Sequence, residues 1–403
     1  MPAPAIQYVP HYVPAPVTKE ELEWADLPII DFSSAGTPEG RAELTTQVCN
    51  AMQTYGFMYI VNHGLTQAET DRIFDIADVP FTQVPENEMK RYTADIKGTG
   101  SFRGFKPREL WVIDNGVRDQ IEQYNSHRSI TGLQSHPKAL RPFLPEMRAF
   151  AEHNHKRVLY PLLQILARGL ELPEDTFVKM HGFDDPSETY RKLGVMTLVT
   201  SSDYLSSSSL HEVVRHCAHI IEAEAFWSLT NPFGSYPRTE EDEQKSKNVW
   251  LKGHTDIGTV TILWSQPVSA LQIRCPDGKW RWVKHIDNAM VVNIGDAMEF
   301  LSGGFYKGTI HRVHQPPRDQ QGFDRLGVYY FVIANGDVIL KPLQESPVLQ
   351  RVGIVRRVED EKAPTMDQYR KGRTAAYGLS ELTKKDDVVE EQLIHGVPVR
   401  HYN

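Results

Sequence analysis

Two residues of metal-binding type stand two positions apart in the stretch LKGHTDIGTVTILWSQ, residues 251–266. His254 and Asp256 have the spacing that places two side chains on the same face of a β-strand. A neutral imidazole and a carboxylate that project together can bind a divalent metal if a third ligand comes from elsewhere. The spacing alone leaves a hydrogen-bonded or surface polar pair equally open, because a second His-x-Asp pair, His285 and Asp287, occurs downstream.

A third candidate ligand, His311, lies much later in the chain, in the β-branched segment GTIHRVHQPP. Strands that are distant in sequence lie side by side in a jelly roll, so this fold can bring a late histidine to the earlier pair. Two histidines and one carboxylate form the facial triad of non-haem Fe(II) oxygenases, which leaves positions open for a co-substrate and O₂. The His285–Asp287 pair instead falls where one predicted strand turns into the next, so we expect it at the rim.

Arg325 lies inside another predicted strand, DRLGVYYF. A guanidinium in the interior of a barrel needs an anion, because an unpaired buried charge is costly. One hypothesis is a structural ion pair with a carboxylate of the barrel wall. The other is bidentate binding of a ligand carboxylate, and the neighbouring triad favours this second hypothesis.

The elements that would position these residues change character along the chain. From about residue 248 to 340, short β-branched runs alternate with turns, as in an antiparallel barrel or sandwich. Upstream and downstream, helical patterns predominate. The predicted elements outside the barrel are a strand at 26–33, a helix at 38–56, a strand at 57–64, a loop or lid within 80–140, a helix at 144–170 with a kink at Pro161, and a tail helix preceded by a Thr365–Gln368 capping box.

The overall composition excludes several classes of protein. The 403 residues are 40% hydrophobic and 24% charged, which is typical of a soluble globular chain. The net charge of −8 argues against a protein that binds nucleic acid or anionic membranes, which would need a basic face. Three cysteines cannot form a disulfide framework. Because the sequence shows no signal peptide and no stretch of ~18 apolar residues, we expect a cytoplasmic protein.

Several segments resemble the isopenicillin-N-synthase-like branch of the Fe(II)/2-oxoglutarate-dependent dioxygenases, in its fungal form. The resemblance implies an α+β fold with a double-stranded β-helix (jelly-roll) core flanked by helices. It implies that His254, Asp256 and His311 bind Fe(II) and that Arg325 binds the C5 carboxylate of 2-oxoglutarate. With the tail, it covers most of the chain except the N-terminal arm and residues 197–235. The matching segments are DLPIIDFS, YGFMYIVNHGL, KNVWLKGHTDIGTVTILWSQPVSALQI, DGKWRWVKHIDNAMVVNIGDAMEFLSGGFYKGTIHRVHQPP and RLGVYYF.

The resemblance also covers a tyrosine and reveals two departures. Tyr236, in SYPR, matches a tyrosine that helps to hold the same co-substrate in the family. The family usually has Arg-x-Ser, whereas this chain has Arg325, Leu326 and Gly327, so the hydroxyl beside the carboxylate is missing. Gly234 also stands where the family has a polar residue, two positions before the tyrosine. The loss of the serine predicts looser binding of 2-oxoglutarate.

One segment, residues 197–235, fits neither the fold nor the family. It contains four consecutive serines, and it separates two segments that lie close together in relatives. A surface insertion and a retained intron both remain open, and transcript reads that run continuously through codons 193 to 235 would exclude the intron. The expected division is a Pro-rich arm (1–25), an N-terminal α/β region (26–190), the atypical insertion (191–235), the jelly-roll core (236–345) and a helical tail (346–403).

The expected function is an oxygenase that uses Fe(II), 2-oxoglutarate and O₂, with ascorbate as a reductant, to hydroxylate, desaturate or rearrange a small molecule of secondary metabolism or catabolism. Three alternatives remain open. These are an Fe(II) oxidase of the same fold that uses no 2-oxoglutarate, a zinc hydrolase, and a chain impaired by its insertion. The partners would be a small-molecule substrate, with neither nucleic acid nor membrane. Candidate pocket walls are Trp264, Phe331, and the loop that carries Phe105 and Lys106.

Overall fold

The computed structural model describes residues 7–127, 134–184, 190–196, 238–376, 383–385 and 389–402. Its strands are β1 (Ile29–Asp31), β2 (Phe57–Val61), β3 (Gly104–Lys106), β4 (Val112–Asp114), β5 (Val117–Arg118), β6 (Ile121–His127), β7 (Tyr190–Met196), β8 (Val249–His254), β9 (Val260–Trp264), β10 (Leu271–Arg274), β11 (Trp280–Trp282), β12 (Met290–Ile294), β13 (His311–His314), β14 (Arg325–Val332), β15 (Thr383–Lys384), β16 (Val389–Ile394) and β17 (Val397–Tyr402).

The helices lie mainly before and after the central strands. No helix in the described ranges is long and apolar enough to cross a membrane. The α-helices are Pro38–Thr54, Gln67–Thr82, Glu86–Met89, Ile96–Thr99, Leu144–His153, Tyr160–Gly169, Asp175–Val178, Glu240–Ser246, Asp296–Leu301, Pro347–Val352 and Met366–Ala376, with a π-helical stretch at Asn154–Leu159 and 3₁₀ turns at Lys90–Tyr92, Lys138–Phe143, Arg318–Gln320 and Asp360–Lys362.

Two sheets form the predicted jelly-roll core. One has the strand order β1-β2-β12-β9-β14-β7-β6-β3, and the other has the order β11-β10-β13-β8-β17-β16-β15. The strands predicted between residues 248 and 340 occupy adjacent positions in the two sheets and pair antiparallel. Apolar side chains of β9, β12 and β14 join the helices in the largest hydrophobic cluster. The α+β fold with a jelly-roll core flanked by helices is confirmed.

The helix predicted at 144–170 is present, and it becomes irregular just before Pro161. Leu144–His153 continues through the π-helical stretch into Tyr160–Gly169, and Pro161 lies in the first turn of that last part. Because proline has no backbone N–H, the normal ladder of hydrogen bonds cannot run through this position, and the helix widens just before it. Leu162 and Leu166 are completely buried there, and the helix packs against Pro38–Thr54.

The tail differs from the helical prediction. It is helical through Ala376, and the expected Thr365–Gln368 capping box is present, but β16 and β17 then form a hairpin. His395 and Gly396, with φ of 49° and 80°, make its two-residue turn. The sequence VEEQLIHGVPVRHY alternates with the period of a strand, a pattern that the helix prediction missed. Tyr402 pairs with Gly253, so the tail extends the sheet that contains β8.

The border of the proposed insertion also differs. Residues 191–196, assigned to the insertion, belong to β7, which pairs with both β6 and β14 inside the larger sheet. The pairing with β14 places this segment in the barrel wall. Residues 197–237 lie outside the described part of the chain.

Candidate metal centre and adjoining cavities

His254, Asp256 and His311 meet between the two sheets. His254 ends β8 and His311 begins β13, and the two are direct partners across these strands. Asp256 follows β8 in a loop, so it does not share the strand as the spacing argument assumed, yet the loop returns its carboxylate to the histidines. Asp256 Oδ1 lies 3.9 Å from His254 Nε2 and 3.7 Å from His311 Nε2. One ligand atom from each residue lies within 4.8 Å of the others.

Backbone carbonyls orient both imidazoles. His254 Nδ1 donates a hydrogen bond to the carbonyl of Lys252 at 2.8 Å, and His311 Nδ1 donates to that of Thr309 at 3.1 Å. A carbonyl oxygen can only accept, so each ring carries its proton on Nδ1. The Nε2 lone pairs are therefore available on the side that faces Asp256, as metal-binding histidines require.

The carboxylate of Asp256 is held through its other oxygen. Oδ2 accepts hydrogen bonds from the Thr261 hydroxyl at 2.7 Å and from Asn293 Nδ2 at 2.8 Å. This leaves Oδ1 directed toward the two imidazoles. The arrangement is typical of a metal ligand supported by outer hydrogen bonds.

Burial and neighbouring charge set the protonation of the site. Burial lowers the pKa of His254, and the adjacent His311 lowers it further. Burial raises the pKa of Asp256, but the two imidazoles and the hydrogen bonds from Asn293 and Thr261 outweigh this effect, so the net shift is downward. A neutral imidazole at His254 and an ionised carboxylate at Asp256 are therefore the stable forms at neutral pH. This donor set fits a divalent transition metal.

The C-terminal helix Met366–Ala376 fixes the loop between the ligands. Arg373 donates to the carbonyl of Thr255 at 2.9 Å and also contacts the buried carboxylate of Asp296. Asp296 accepts a hydrogen bond from the Thr255 hydroxyl at 2.8 Å, and its backbone N–H donates to the carbonyl of Asp256 at 2.7 Å. Both backbone and side chain of Thr255 are thus held, which restricts movement of the residues on either side of it.

Two cavities adjoin the triad. The first, which we call the arginine cavity, lies between the sheets and contains Arg325. We call the second the aromatic cavity. His254, Asp256 and Phe331 border both. The aromatic cavity is lined further by Phe102, Trp111, Gln123, Asn125, Ile257 and Ile333.

The arginine cavity explains the missing serine of the Arg-x-Ser pattern. Arg325 is 2% exposed, and its Nη1 donates a hydrogen bond to the Tyr329 hydroxyl at 3.0 Å. A Cβ atom on Gly327 would lie 2.5 Å from Tyr329 Cε2 and 2.8 Å from the Tyr329 hydroxyl. The tyrosine therefore occupies the space that a side chain at position 327 would need, and it brings a hydroxyl to the guanidinium.

The remaining predicted residues are distributed as follows. Tyr236 lies outside the described residues. His285 and Asp287 form a pair at 3.0 Å, with the Asp287 side chain 92% exposed, so this second His-x-Asp pair is at the surface. Within the described ranges, the triad is the one group of three or more His, Cys, Asp or Glu residues whose donor atoms converge as metal ligands do.

The predicted pocket walls were correct in part. Phe331 lines both cavities. Trp264 packs into the core, with its ring 4.7 Å from that of His63. Phe105 is also in the core, and Lys106 is fully buried against Asp119, so neither residue lines the arginine cavity or the aromatic cavity.

The sequence analysis missed the polar residues of β6. Gln123 and Asn125 alternate along this strand and face the aromatic cavity, yet no strand was predicted within the polar, Gly-rich residues 80–140. The alternation of QIEQYNS was a signal for a strand, but its polar residues concealed it because a strand buried on both faces normally reads as apolar.

Comparisons with known proteins identify the family of this chain. Residues 27–146 match the family model described as the non-haem dioxygenase in morphine synthesis N-terminal, and residues 225–333 match that of the 2OG-Fe(II) oxygenase superfamily. Together these matches cover more than half of the chain.

Similar proteins include fungal enzymes. The 2-oxoglutarate-dependent dioxygenase tropC of Talaromyces stipitatus is 25% identical over 79% of this chain and 90% of its own length. The 2-oxoglutarate-Fe(II) type oxidoreductase hxnY of Emericella nidulans is 26% identical over 89% and 93%. A full-length Neurospora crassa protein solved with alpha-KG and thymine has the same fold, with a TM-score of 0.64, 20% identity, and coverage of 87% of this chain and 96% of the other. The chain therefore belongs to the 2OG-Fe(II) oxygenase superfamily and is a 2-oxoglutarate-dependent dioxygenase.

Proposed function

We propose that this dioxygenase oxidises a small molecule at Fe(II) held by His254, Asp256 and His311. For a hydroxylation, one O₂ and one 2-oxoglutarate convert a substrate C–H bond to C–OH and yield succinate and CO₂. Bound Fe(II) supplies the activation of O₂ and the electron transfer that protein side chains cannot provide. The observation that carries the proposal is the convergence of two Nε2 lone pairs and one carboxylate oxygen on one point.

Arg325 is the proposed partner of the 2-oxoglutarate C5 carboxylate. It lies in the same cavity as Asp256 and His311, and a planar guanidinium matches a carboxylate with two parallel hydrogen bonds. The charges of Fe(II) and Arg325 balance those of Asp256 and a dicarboxylate, so the filled cavity is neutral. We propose that Tyr329 takes over the role of the missing serine, since its hydroxyl already meets the guanidinium.

The proposed role of Tyr329 predicts a specific pattern in a double-mutant cycle. Tyr329→Ala removes the hydroxyl together with the ring and is expected to raise the KM for 2-oxoglutarate at least about fivefold, since one hydrogen bond is worth roughly 1 kcal/mol. Gly327→Ser alone collides with the Tyr329 ring and is expected to raise it at least as much. In the double variant the serine has room, and we expect a KM within about twofold of the wild type. Additive effects of the two changes would contradict the replacement.

The hydrogen bonds behind Asp256 predict an effect on metal affinity. Thr261→Val keeps the shape of the residue but removes its hydrogen bond, and Asn293→Ala removes the other one. Each change is expected to weaken Fe(II) binding about 10- to 100-fold, the usual effect of losing an outer partner. Competition with a coloured chelator measures this affinity. Thr261→Ser, which keeps the hydroxyl, serves as the control. Unchanged Fe(II) affinity in folded Thr261→Val and Asn293→Ala would show that these hydrogen bonds do not support metal binding by Asp256.

The substrate side is proposed to be the aromatic cavity. It borders the triad without containing Arg325. The similar Neurospora crassa protein has been solved with thymine, and the similar JOX2 with JA, which supports a small organic substrate for this chain as well. The resemblance to fungal dioxygenases implies a place in secondary metabolism or in catabolism. We also propose a cytoplasmic location and no binding of nucleic acid, both supported by the net charge of −8 and the few cysteines.

The function can be tested before the substrate is known. The purified chain is incubated with 2-oxoglutarate and O₂, and slow succinate formation is measured with Fe(II), with Zn(II), and with a chelator. We expect succinate only with Fe(II). Oxygen uptake without succinate would indicate the 2-oxoglutarate-independent oxidase, and no turnover with iron bound would indicate an impaired chain.

A further inference from the structure

Strand β6 forms a polar edge on one wall of the aromatic cavity. Gln123 and Asn125 lie two positions apart, so their side chains project to the same face of the strand. Gln123 is 1% exposed, Asn125 is completely buried, and both line the cavity. The next residue, Ser126, points to the opposite face and does not line it.

Asn125 presents a hydrogen-bond acceptor of fixed orientation. Its Nδ2 donates to the carbonyl of Phe102 at 2.8 Å, and this hydrogen bond fixes the positions of Nδ2 and Oδ1. Its Oδ1 is buried and has no hydrogen-bond partner among the described residues. A buried amide oxygen without a partner costs free energy, and a ligand N–H would remove that cost.

Gln123 presents the complementary donor. Its Nε2 is buried and likewise lacks a hydrogen-bond partner in the described part of the chain. Gln123 also lines the arginine cavity, so it lies where the two cavities meet, close to the triad. A ligand carbonyl at this position would satisfy the donor and would lie near the reacting centre.

The other walls favour a flat, apolar body. Phe102 and Trp111 meet edge to face, with ring centroids 6.1 Å apart. Trp111 is held rigidly, because its backbone N–H donates to Asp119 at 2.6 Å and Lys106 Nζ lies 4.0 Å from its ring centroid. Rigid aromatic walls bind a flat ring at low entropic cost.

The charged groups of this cavity already have partners. Among its described lining residues, the ionised side chains are Asp256, which belongs to the triad, and Arg373, which is paired with Asp296. A charge on the ligand would therefore lose its hydration without gaining a counter-ion. The part of the ligand that occupies this cavity is consequently neutral.

We propose that Gln123 and Asn125 determine substrate specificity by binding the neutral amide edge of a flat, mainly apolar ring compound. The ligand carbonyl accepts from Gln123 Nε2, and the ligand N–H donates to Asn125 Oδ1. Lactams, imides and ring amides have this chemistry. The proposal rests on the proposed function in that it takes this cavity as the substrate site, although ligand binding can be measured without turnover.

Three bicyclic probes of similar size separate the two hydrogen bonds. Oxindole has both the carbonyl and the N–H, 1-indanone has the carbonyl only, and indane has neither. Ligand-observed NMR on the full chain, with and without Fe(II) and 2-oxoglutarate under anaerobic conditions, gives their dissociation constants. We expect oxindole to bind about tenfold more tightly than 1-indanone, and 1-indanone about tenfold more tightly than indane.

Substitutions assign each step of this series to one residue. In Asn125→Leu, we expect oxindole and 1-indanone to have equal dissociation constants. In Gln123→Met, we expect 1-indanone and indane to have equal dissociation constants. Ser126→Ala removes a buried hydroxyl of the same strand that has no hydrogen-bond partner among the described residues, and it is expected to leave the series unchanged.

The unmodified chain alone can overturn the proposal, so the test does not depend on whether the variants fold. Indane binding as tightly as oxindole, or no oxindole binding at millimolar concentration, would overturn it, as would an unchanged series in both folded variants. The proposed function fails separately, by the absence of Fe(II)-dependent succinate formation.

Discussion

His311→Ala is expected to reduce Fe(II)-dependent succinate formation by about 10³-fold or more. The change removes one of three ligands, and metal assistance contributes several kcal/mol to such reactions, with each 1.36 kcal/mol equal to a factor of ten in rate. Iron content after gel filtration should fall in parallel. The fold should persist, because His311 makes ring contacts with Phe57 at 5.5 Å and with His254 at 4.5 Å, which are a small part of the packing around the two sheets.

The second His-x-Asp pair supplies the matched control. His285→Ala removes a histidine from the same sequence pattern, but at the surface position beside Asp287. We expect its iron content and succinate rate to equal those of the wild type. Equal activity of His311→Ala and His285→Ala would exclude the triad as the metal site.

Arg325→Met is expected to raise the KM for 2-oxoglutarate by about 10²-fold while leaving Fe(II) affinity nearly unchanged. Removing one partner of a buried charge pair costs roughly 2–5 kcal/mol, and most of this appears in co-substrate binding. Arg325→Lys should recover part of the loss, because it restores the charge but not the planar fork. Initial rates at varied 2-oxoglutarate concentration measure both variants.

Arg312 offers a control for this experiment. It is a partly buried arginine of β13 whose guanidinium lies 4.3 Å from the Trp280 ring centroid and does not line the arginine cavity. Arg312→Met should leave the KM unchanged. A KM that is the same in Arg325→Met and in the wild type would show that another group binds the C5 carboxylate.

The sequence was sufficient to find the triad because each ligand stands in or beside a strongly β-branched run. His254 and His311 proved to be cross-strand partners, as a jelly roll allows. Asp256 does lie beside the two histidines, as predicted, but it lies in a loop after β8 and not in the strand that the spacing argument assumed. The hydrogen bonds that hold this loop come from the distant Asp296 and Arg373, and no local pattern predicts them.

The polar walls of the cavities could not be predicted from local pattern. Gln123 and Asn125 read as surface residues because nothing nearby in sequence shows that both faces of β6 are covered. The sequence also did not reveal that Tyr329 fills the space beside Gly327, because this depends on how the tyrosine ring lies over the residue two positions earlier. The loss of serine predicted a weaker site, whereas the structure shows a tyrosine hydroxyl at the guanidinium.

The most direct test is an anaerobic optical titration of the full chain with Fe(II) and then 2-oxoglutarate. Simultaneous binding of both at one centre should produce a visible charge-transfer band that neither component gives alone. We predict that the band is absent in His311→Ala, requires more 2-oxoglutarate in Arg325→Met, and is unchanged in His285→Ala. A band of full intensity in His311→Ala, or no band in the wild type with iron bound, would contradict the assignment of these residues.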